Sequence, residues 1–78
     1  MNRNVLVGLW FVTHEPDGDR EYQGQILDAL ENGFYLVQLY SWATGNATTL
    51  KIFSMHKLES AYLFKNSDDF INYLEALD

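Results

Sequence analysis

Cysteine is absent from the 78-residue sequence, and this absence excludes several kinds of site at once. A disulfide framework, a thiolate zinc site and a cysteine nucleophile all require that side chain. The absence also suits a reducing compartment, so we expect a cytoplasmic protein. Neither of the two histidines, His14 and His56, lies at a sequence spacing that would pair it with a second metal ligand or with a nucleophile. We therefore expect surface or strand-end histidines, no metal, no cofactor and no enzyme activity.

Basic residues are also few, because five Lys and Arg stand against eleven Asp and Glu, for a formal net charge of −6. A surface of that charge repels phosphate at long range, which disfavours nucleic-acid binding. Three of the basic residues nevertheless lie close together in the sequence, at Lys51, Lys57 and Lys65. A nucleic-acid-binding protein of this sequence would use these lysines and the aromatic side chains near them.

Long hydrophobic runs and glycine-rich loops are lacking as well. The first apolar stretch, residues 5–13, is too short to span a bilayer and has no small-residue cleavage site, so we expect a buried strand and no membrane. The five glycines are scattered, which excludes a phosphate-binding loop. Asp17, Asp19 and Glu21 alternate like the first ligands of a calcium loop. Because Tyr22 stands where such a loop requires glycine, we interpret them as an acidic turn.

The sequence is rich instead in apolar residues (47%) and aromatic residues (15%), enough for a dense core in one small domain. Short β-branched and aromatic runs separated by turn residues predict five strands. The turns are marked by Pro16 and Gly18, by the Asn32–Gly33 pair that favours a type I′ hairpin, and by Gly45. The predicted strands are residues 5–13, 20–30, 34–42, 48–53 and 61–64, with one helical turn at 54–58.

Near the C-terminus the spacing of the apolar residues changes to that of a helix. Asn66 or Ser67 can cap this helix, and its first turn carries two aspartates. The apolar positions at helical spacing are Phe70, Tyr73, Leu74 and Leu77. We therefore predict a mainly β protein with one domain over residues 1–78. It consists of a five-stranded SH3-like barrel at 1–65 and a C-terminal α-helix at 66–78 that packs on the barrel.

The predicted third strand is apolar on both of its faces. One face consists of Tyr35, Val37 and Leu39, and the other of Phe34, Leu36, Tyr40 and Trp42. Only one face can line the barrel, and four large exposed side chains on the other would be unfavourable or functional. The C-terminal helix, a second copy of the chain and a different partner are the three candidates for covering that second face.

Aromatic residues are also the best candidates for binding. Small barrels commonly bind through aromatic side chains near one mouth, by stacking on bases or by cation–π attraction. The candidate binding residues are Tyr22, Tyr40, Trp42, Lys51 and Phe53. Packing in the core is the alternative role of each aromatic residue among them.

Two segments resemble a known family. Residues 22–26 read Tyr-Gln-Gly-Gln-Ile, and residues 50–59 read Leu-Lys-Ile-Phe-Ser-Met-His-Lys-Leu-Glu. In that order they resemble two motifs of the plasmid-borne type II dihydrofolate reductases, Trp-Gln-Gly-Gln-Ile and Val-Gln-Ile-Tyr-Pro-Val with a Leu-Glu close. The resemblance implies an SH3-like barrel, a fold that Tudor-like modules share. It does not imply reductase activity, because Lys51 replaces the family's Gln, Phe53 lacks the Tyr hydroxyl and Pro16 stands where the family has a Lys.

The sequence thus predicts a non-catalytic binding module, bacterial or from a mobile element. It would bind a protein partner through the aromatic face of the third strand or the barrel mouth, and a homodimer through that face is a variant. One alternative is a nucleic-acid-binding barrel that uses the three lysines. The other is an acidic decoy that occupies a basic site on a nucleic-acid enzyme, with mimicking charges at Asp17, Asp19, Glu21, Asp68 and Asp69.

Overall fold

The computed structural model describes residues 3–76 and the side chains of residues 5–76. Its strands are β1 (Trp10–His14), β2 (Arg20–Ala29), β3 (Phe34–Tyr40), β4 (Ala47–Ser54) and β5 (Tyr62–Phe64). They form one antiparallel sheet in the order β4-β3-β2-β1-β5, so β4 and β5 are its edges. Helix α1 (Met55–Glu59) lies between β4 and β5, and helix α2 (Ser67–Ala76) follows β5. The mainly β class, the five strands and the C-terminal helix are confirmed.

The first strand begins at Trp10, so the prediction of a strand from residue 5 is wrong for its first five residues. Arg3–Leu6 forms a 3-10 helix instead. Gly8, which follows it, has a φ of +92° and opposes Ile26 together with Leu9, whose carbonyl accepts a 2.9 Å hydrogen bond from the Ile26 N–H; it thus forms the β-bulge that a glycine inside an apolar run indicates. Its N–H donates a hydrogen bond of 2.8 Å to the carbonyl of Ile26. The apolar run therefore packs against the core as a turn at the end of the sheet.

The turn between β2 and β3 has the geometry that its Asn-Gly pair predicts. Asn32 and Gly33 both have positive φ, at 63° and 77°. The N–H of Phe34 donates to the carbonyl of Glu31, which closes the four-residue turn. Positive φ at both central residues defines a type I′ turn, whose twist matches that of the flanking strands. This turn fixes the register of the hairpin.

Strand β3 ends at Tyr40, two residues before its predicted end. The Ser41 hydroxyl accepts hydrogen bonds from the N–H groups of Ala43 and Thr44, at 3.1 and 3.2 Å. A side chain that satisfies nearby backbone donors offers the chain an alternative to the strand ladder. Trp42 therefore stands in a turn beyond the strand.

The core lies on one face of the sheet, called the core face below, and the opposite face is called the outer face. The buried core cluster consists of Phe11, Ile26, Tyr35, Val37, Leu39, Phe53 and Leu58. It includes the predicted core-facing residues of β3 and one residue of α1. Gly24 of β2 also faces the core, and a Cβ there would overlap the backbone carbonyl oxygen of Gln38. Glycine at this position allows β2 and β3 to approach closely where the sheet bends.

Helix α2 packs on the outer face over β1 and β5. Asn66 caps it, because its Oδ1 accepts a 2.8 Å hydrogen bond from the N–H of Asp69. Phe70 is buried and stacks on Trp10 of β1 with 5.1 Å between ring centroids. Of the predicted apolar positions of this helix, Leu77 lies outside the described residues. Within residues 3–76, no helix is both long enough and apolar enough to cross a membrane.

Candidate functional site

A cleft of about 760 Å³ opens between α2 and the outer face of the sheet, and we call it the aromatic cleft. Its apolar walls are Trp10, Tyr40, Trp42, Phe70, Ile71 and Leu74. The apolar walls come from β1, from the end of β3 with the turn that follows, and from α2, while β2 and the turn before it contribute polar side chains. Cavities of this size with apolar walls and a few polar groups are the usual form of small-ligand and peptide sites.

The aromatic walls of the cleft are fixed by one another. The Trp10 ring contacts both Tyr40, with 5.6 Å between centroids, and Phe70, with 5.1 Å. Trp42 is held differently, because its indole Nε1–H donates a 3.2 Å hydrogen bond to the carbonyl of Glu21. Its side chain nevertheless remains 44% exposed. A large aromatic side chain that is both held and open loses little conformational entropy on binding, which favours affinity.

Two polar side chains of the cleft are also held in position. The guanidinium carbon of Arg20 lies 4.9 Å from the centroid of the Trp42 ring, within cation–π distance. Among the described residues this guanidinium forms no ion pair with a carboxylate. Gln23 is only 4% exposed, and its Nε2 donates a 3.2 Å hydrogen bond to the carbonyl of Ser41. The cleft thus contains one stacked cation and one buried amide.

A cluster of carboxylates lies at one side of the cleft. Asp19 lines it, and the carboxylate oxygens of Glu15, Asp17 and Asp19 lie within 4.8 Å of one another on the exposed turn before β2. The Asp19 N–H donates to Asp17 Oδ1 at 2.9 Å, so this cluster stabilises its own turn. The first turn of α2, whose Ser67 also lines the cleft, carries Asp68 and Asp69. The rim is therefore acidic, with Arg20 as an inner cation.

The predicted binding residues fall into two groups on opposite faces of the sheet. Tyr40 and Trp42 line the aromatic cleft. Tyr22 and Phe53 lie on the core face, with ring centroids 5.6 Å apart, and Lys51 Nζ lies 5.7 Å from the Tyr22 ring centroid. Phe53 is buried in the core, and Tyr22 packs against it. The structure therefore does not bring the four predicted aromatic residues into one cluster.

The three lysines that a nucleic acid would contact are also in different environments. Lys57 Nζ forms an ion pair of 2.9 Å with Glu21 and lies 5.4 Å from the Phe53 ring centroid. Lys51 lies above Tyr22, while Lys65 follows β5 and makes no ion pair or ring contact with the described residues. One of the three charges is thus neutralised by a carboxylate, which weakens a phosphate-binding surface.

The histidines occupy a strand end and a surface, as predicted. His14 ends β1, and its Nε2 lies 3.3 Å from the Tyr73 hydroxyl. His56 is exposed on α1. Burial raises the pKa of the Tyr73 hydroxyl, and the neighbouring Tyr62 raises it further. This polar contact fastens the middle of α2 to the end of β1, beside the aromatic cleft.

Comparisons of the chain with known protein families, curated proteins and solved structures found no match. The function therefore has to be argued from the residues of the site. Sequence reasoning identified Tyr40 and Trp42 but missed Trp10, Arg20 and Phe70 as members of the cleft. The helical spacing of Phe70, combined with the helix as one candidate cover for the second face of β3, was the signal that could have placed it in the cleft with Tyr40.

The Glu21–Lys57 ion pair predicts a specific dependence of stability on pH. The hydrogen bond from Lys57 holds the pKa of the Glu21 carboxyl below its usual 4.5, against the opposing effect of burial. A carboxyl whose pKa is lowered by folding stabilises the protein above its unfolded pKa, and this contribution is lost as the pH falls through the folded pKa. We expect Glu21→Gln to destabilise the protein at neutral pH and the difference from wild type to shrink below about pH 4.5.

Urea unfolding of wild type and Glu21→Gln between pH 7 and pH 3 measures this difference. Lys57→Met is the matched control, because it removes the partner of the carboxylate and should abolish the same pH-dependent contribution. A difference between wild type and Glu21→Gln that stays constant down to pH 3 would contradict the assignment of the ion pair.

Proposed function

We propose that the protein is a non-catalytic protein-binding module and that the aromatic cleft is the docking site for a segment of its partner. The observation that carries the proposal is the state of Trp42, which is held by a hydrogen bond and by Arg20 yet is 44% exposed inside the cleft. Tryptophan, tyrosine and arginine side chains are the residues that most often dominate the binding energy of protein interfaces. Trp42, Tyr40 and Arg20 supply all three residue types in the aromatic cleft.

The chemistry of the cleft specifies the partner segment. Because Arg20 already stacks on Trp42, the inserted side chain is apolar and packs against Tyr40 and Leu74. Asp19 lines the cleft with Asp17 beside it on the same turn, and the whole chain has a net charge of −6. Such a field attracts positive charge at long range and speeds association. The segment therefore has an apolar or aromatic anchor with Lys or Arg residues beside it.

The proposed scaffold is an SH3-like barrel. Three observations support it: the strand order with β1 between β2 and β5, the helical turn α1 between β4 and β5, and the close approach of β2 to β3 at Gly24. Tight bending of a five-stranded sheet is what such a barrel requires. The proposed location is the cytoplasm, as the lack of cysteine suggests. A bacterial or mobile-element origin stays a prediction from the sequence.

Selection from a random peptide library on the immobilised protein tests the proposal. We expect the enriched peptides to contain an aromatic or aliphatic anchor flanked by Lys or Arg. Trp42→Ala is expected to weaken their binding at least about tenfold, the effect of an interface hot spot. Leu27→Thr, which changes an exposed residue that does not line the cleft, is the matched control and is expected to leave the affinity unchanged.

Binding measurements on the wild type and its variants separate the alternatives. Peptides that bind wild type and Trp42→Ala equally well would contradict the proposal. An oligonucleotide that binds through Lys51, with affinity that falls steeply as salt increases, would favour the nucleic-acid-binding alternative. Asp17→Asn combined with Asp19→Asn is expected to weaken the selected peptides and to reduce the salt dependence of their binding, because these changes remove charges from the rim.

A further inference from the structure

A second apolar surface lies on the outer face beyond the reach of α2. It consists of Phe34, Leu36, Leu50 and Ile52, and we call it the β4 patch. Leu36 lies directly opposite Ile52 in the ladder between β3 and β4, so the patch is continuous across the two strands. Phe34, Leu50 and Ile52 are 44%, 55% and 60% exposed. Helix α2 packs on β1 and β5, at the other side of the sheet.

The β4 patch is on an edge of the sheet. Strand β4 pairs with β3 on one side and with no other described strand on the other side. Every residue from Thr48 to Ile52 is exposed. An edge strand with free backbone groups and apolar side chains is a template for pairing with another strand. A register shift in the β3–β4 ladder interrupts the regular strand before Leu50, so the regular free edge is Leu50–Ser54.

The distribution of charge indicates what pairs with this edge. Residues 32–58 contain no Asp or Glu, so all eleven carboxylates of the chain lie elsewhere. The segment contains two lysines, of which Lys57 is already paired with Glu21. Because the chain has a net charge of −6, most of its surface repels a second copy of the same chain. The β4 edge is where that repulsion is weakest and where apolar area is exposed.

We infer that two copies of the chain associate through their β4 edges, paired antiparallel about a two-fold axis at Ile52. This register places each Leu50 opposite Ser54 of the second copy and each Lys51 opposite Phe53 of the second copy. No lysine then faces another lysine directly, which would be destabilising. Residues opposite each other in an antiparallel ladder point to the same face, so the two β4 patches join into one apolar surface.

The inference is independent of the aromatic cleft, which lies on the other side of the outer face. Two cleft openings remain accessible in such a dimer, because the strands that carry α2 are the ones farthest from the β4 edge in the sheet order. A dimer of this kind would present two docking sites to one partner chain. Linked sites raise apparent affinity without new contacts.

Sedimentation velocity over a range of concentrations tests the association. We expect wild type to dimerise and Leu50→Thr combined with Ile52→Thr to raise the dimer dissociation constant at least about tenfold, because both apolar contacts at the axis are lost. Threonine keeps the β-branched preference for strands, and circular dichroism checks the fold of the variant. Trp42→Ala is the matched control and is expected to leave the dissociation constant unchanged.

Two results would overturn the inference. One is a wild type that stays monomeric at about 1 mM, which corresponds to association weaker than about 4 kcal/mol. The other is a double threonine variant that dimerises as tightly as wild type.

Discussion

Replacing Gly24 with alanine is expected to lower the free energy of unfolding by about 3 kcal/mol or more, because the new Cβ overlaps a backbone atom. The atom is the carbonyl oxygen of Gln38 in the neighbouring strand. A flexible side chain can move away from such a contact, but a carbonyl held in a strand ladder moves only if β2 and β3 separate. Urea unfolding followed by tryptophan fluorescence measures the loss.

Gly45→Ala is the control for this prediction. Gly45 has a φ of +75° but open space around the position of a Cβ. Alanine there experiences only the strain of a left-handed conformation, about 1 to 2 kcal/mol. If Gly24→Ala were no more destabilising than Gly45→Ala, the close approach of β2 and β3 would not be the reason for glycine at position 24.

Truncation of Phe70 to alanine is expected to destabilise the protein by about 3 kcal/mol, the usual effect of removing a buried phenylalanine. Its ring stacks on Trp10 and also contacts Phe64, with centroids 5.9 Å apart. Because α2 packs on the outer face of the sheet, the loss is expected to loosen the helix more than the core on the opposite face. Amide hydrogen exchange is expected to accelerate throughout α2 and to change less at Tyr35 and Val37.

The neighbouring residue of the helix supplies the control. Ile71 is 47% exposed, so Ile71→Ala is expected to change stability by no more than about 0.5 kcal/mol. Equal destabilisation by the two substitutions, or exchange that accelerates uniformly over the whole chain in Phe70→Ala, would contradict the assignment of the buried Phe70 ring as a main attachment of α2 to the sheet.

Local signals in the sequence were sufficient for most of the elements. The Asn32–Gly33 pair determined a hairpin because both residues tolerate positive φ, and Ser54 capped α1 because its hydroxyl accepts a hydrogen bond from Lys57 N–H. The start of β1 was missed because Gly8 is compatible with both a strand and a left-handed turn. Its backbone conformation is decided by a hydrogen bond to Ile26, which no local pattern reports.

The candidate site was only partly predictable, because it depends on contacts between distant parts of the chain. Trp10 reaches the cleft because β1 pairs with β5, which brings α2 over it. Tyr22 and Tyr40 were predicted to cluster, yet the alternation of side chains along β2 and β3 places them on opposite faces. The two apolar faces of β3 were correctly recognised. The helix covers one end of the outer face and leaves Phe34 and Leu36 uncovered.

The most direct test of the proposed docking site is chemical-shift mapping of the ¹⁵N-labelled protein with a peptide selected from the library. We predict that the largest shifts occur at the indole N–H groups of Trp10 and Trp42 and at the backbone amides of Ile71 and Leu74. Shifts confined to Leu50–Ser54, or to Tyr22 and Lys51 on the core face, would show that the peptide binds elsewhere and would contradict the assignment of the aromatic cleft.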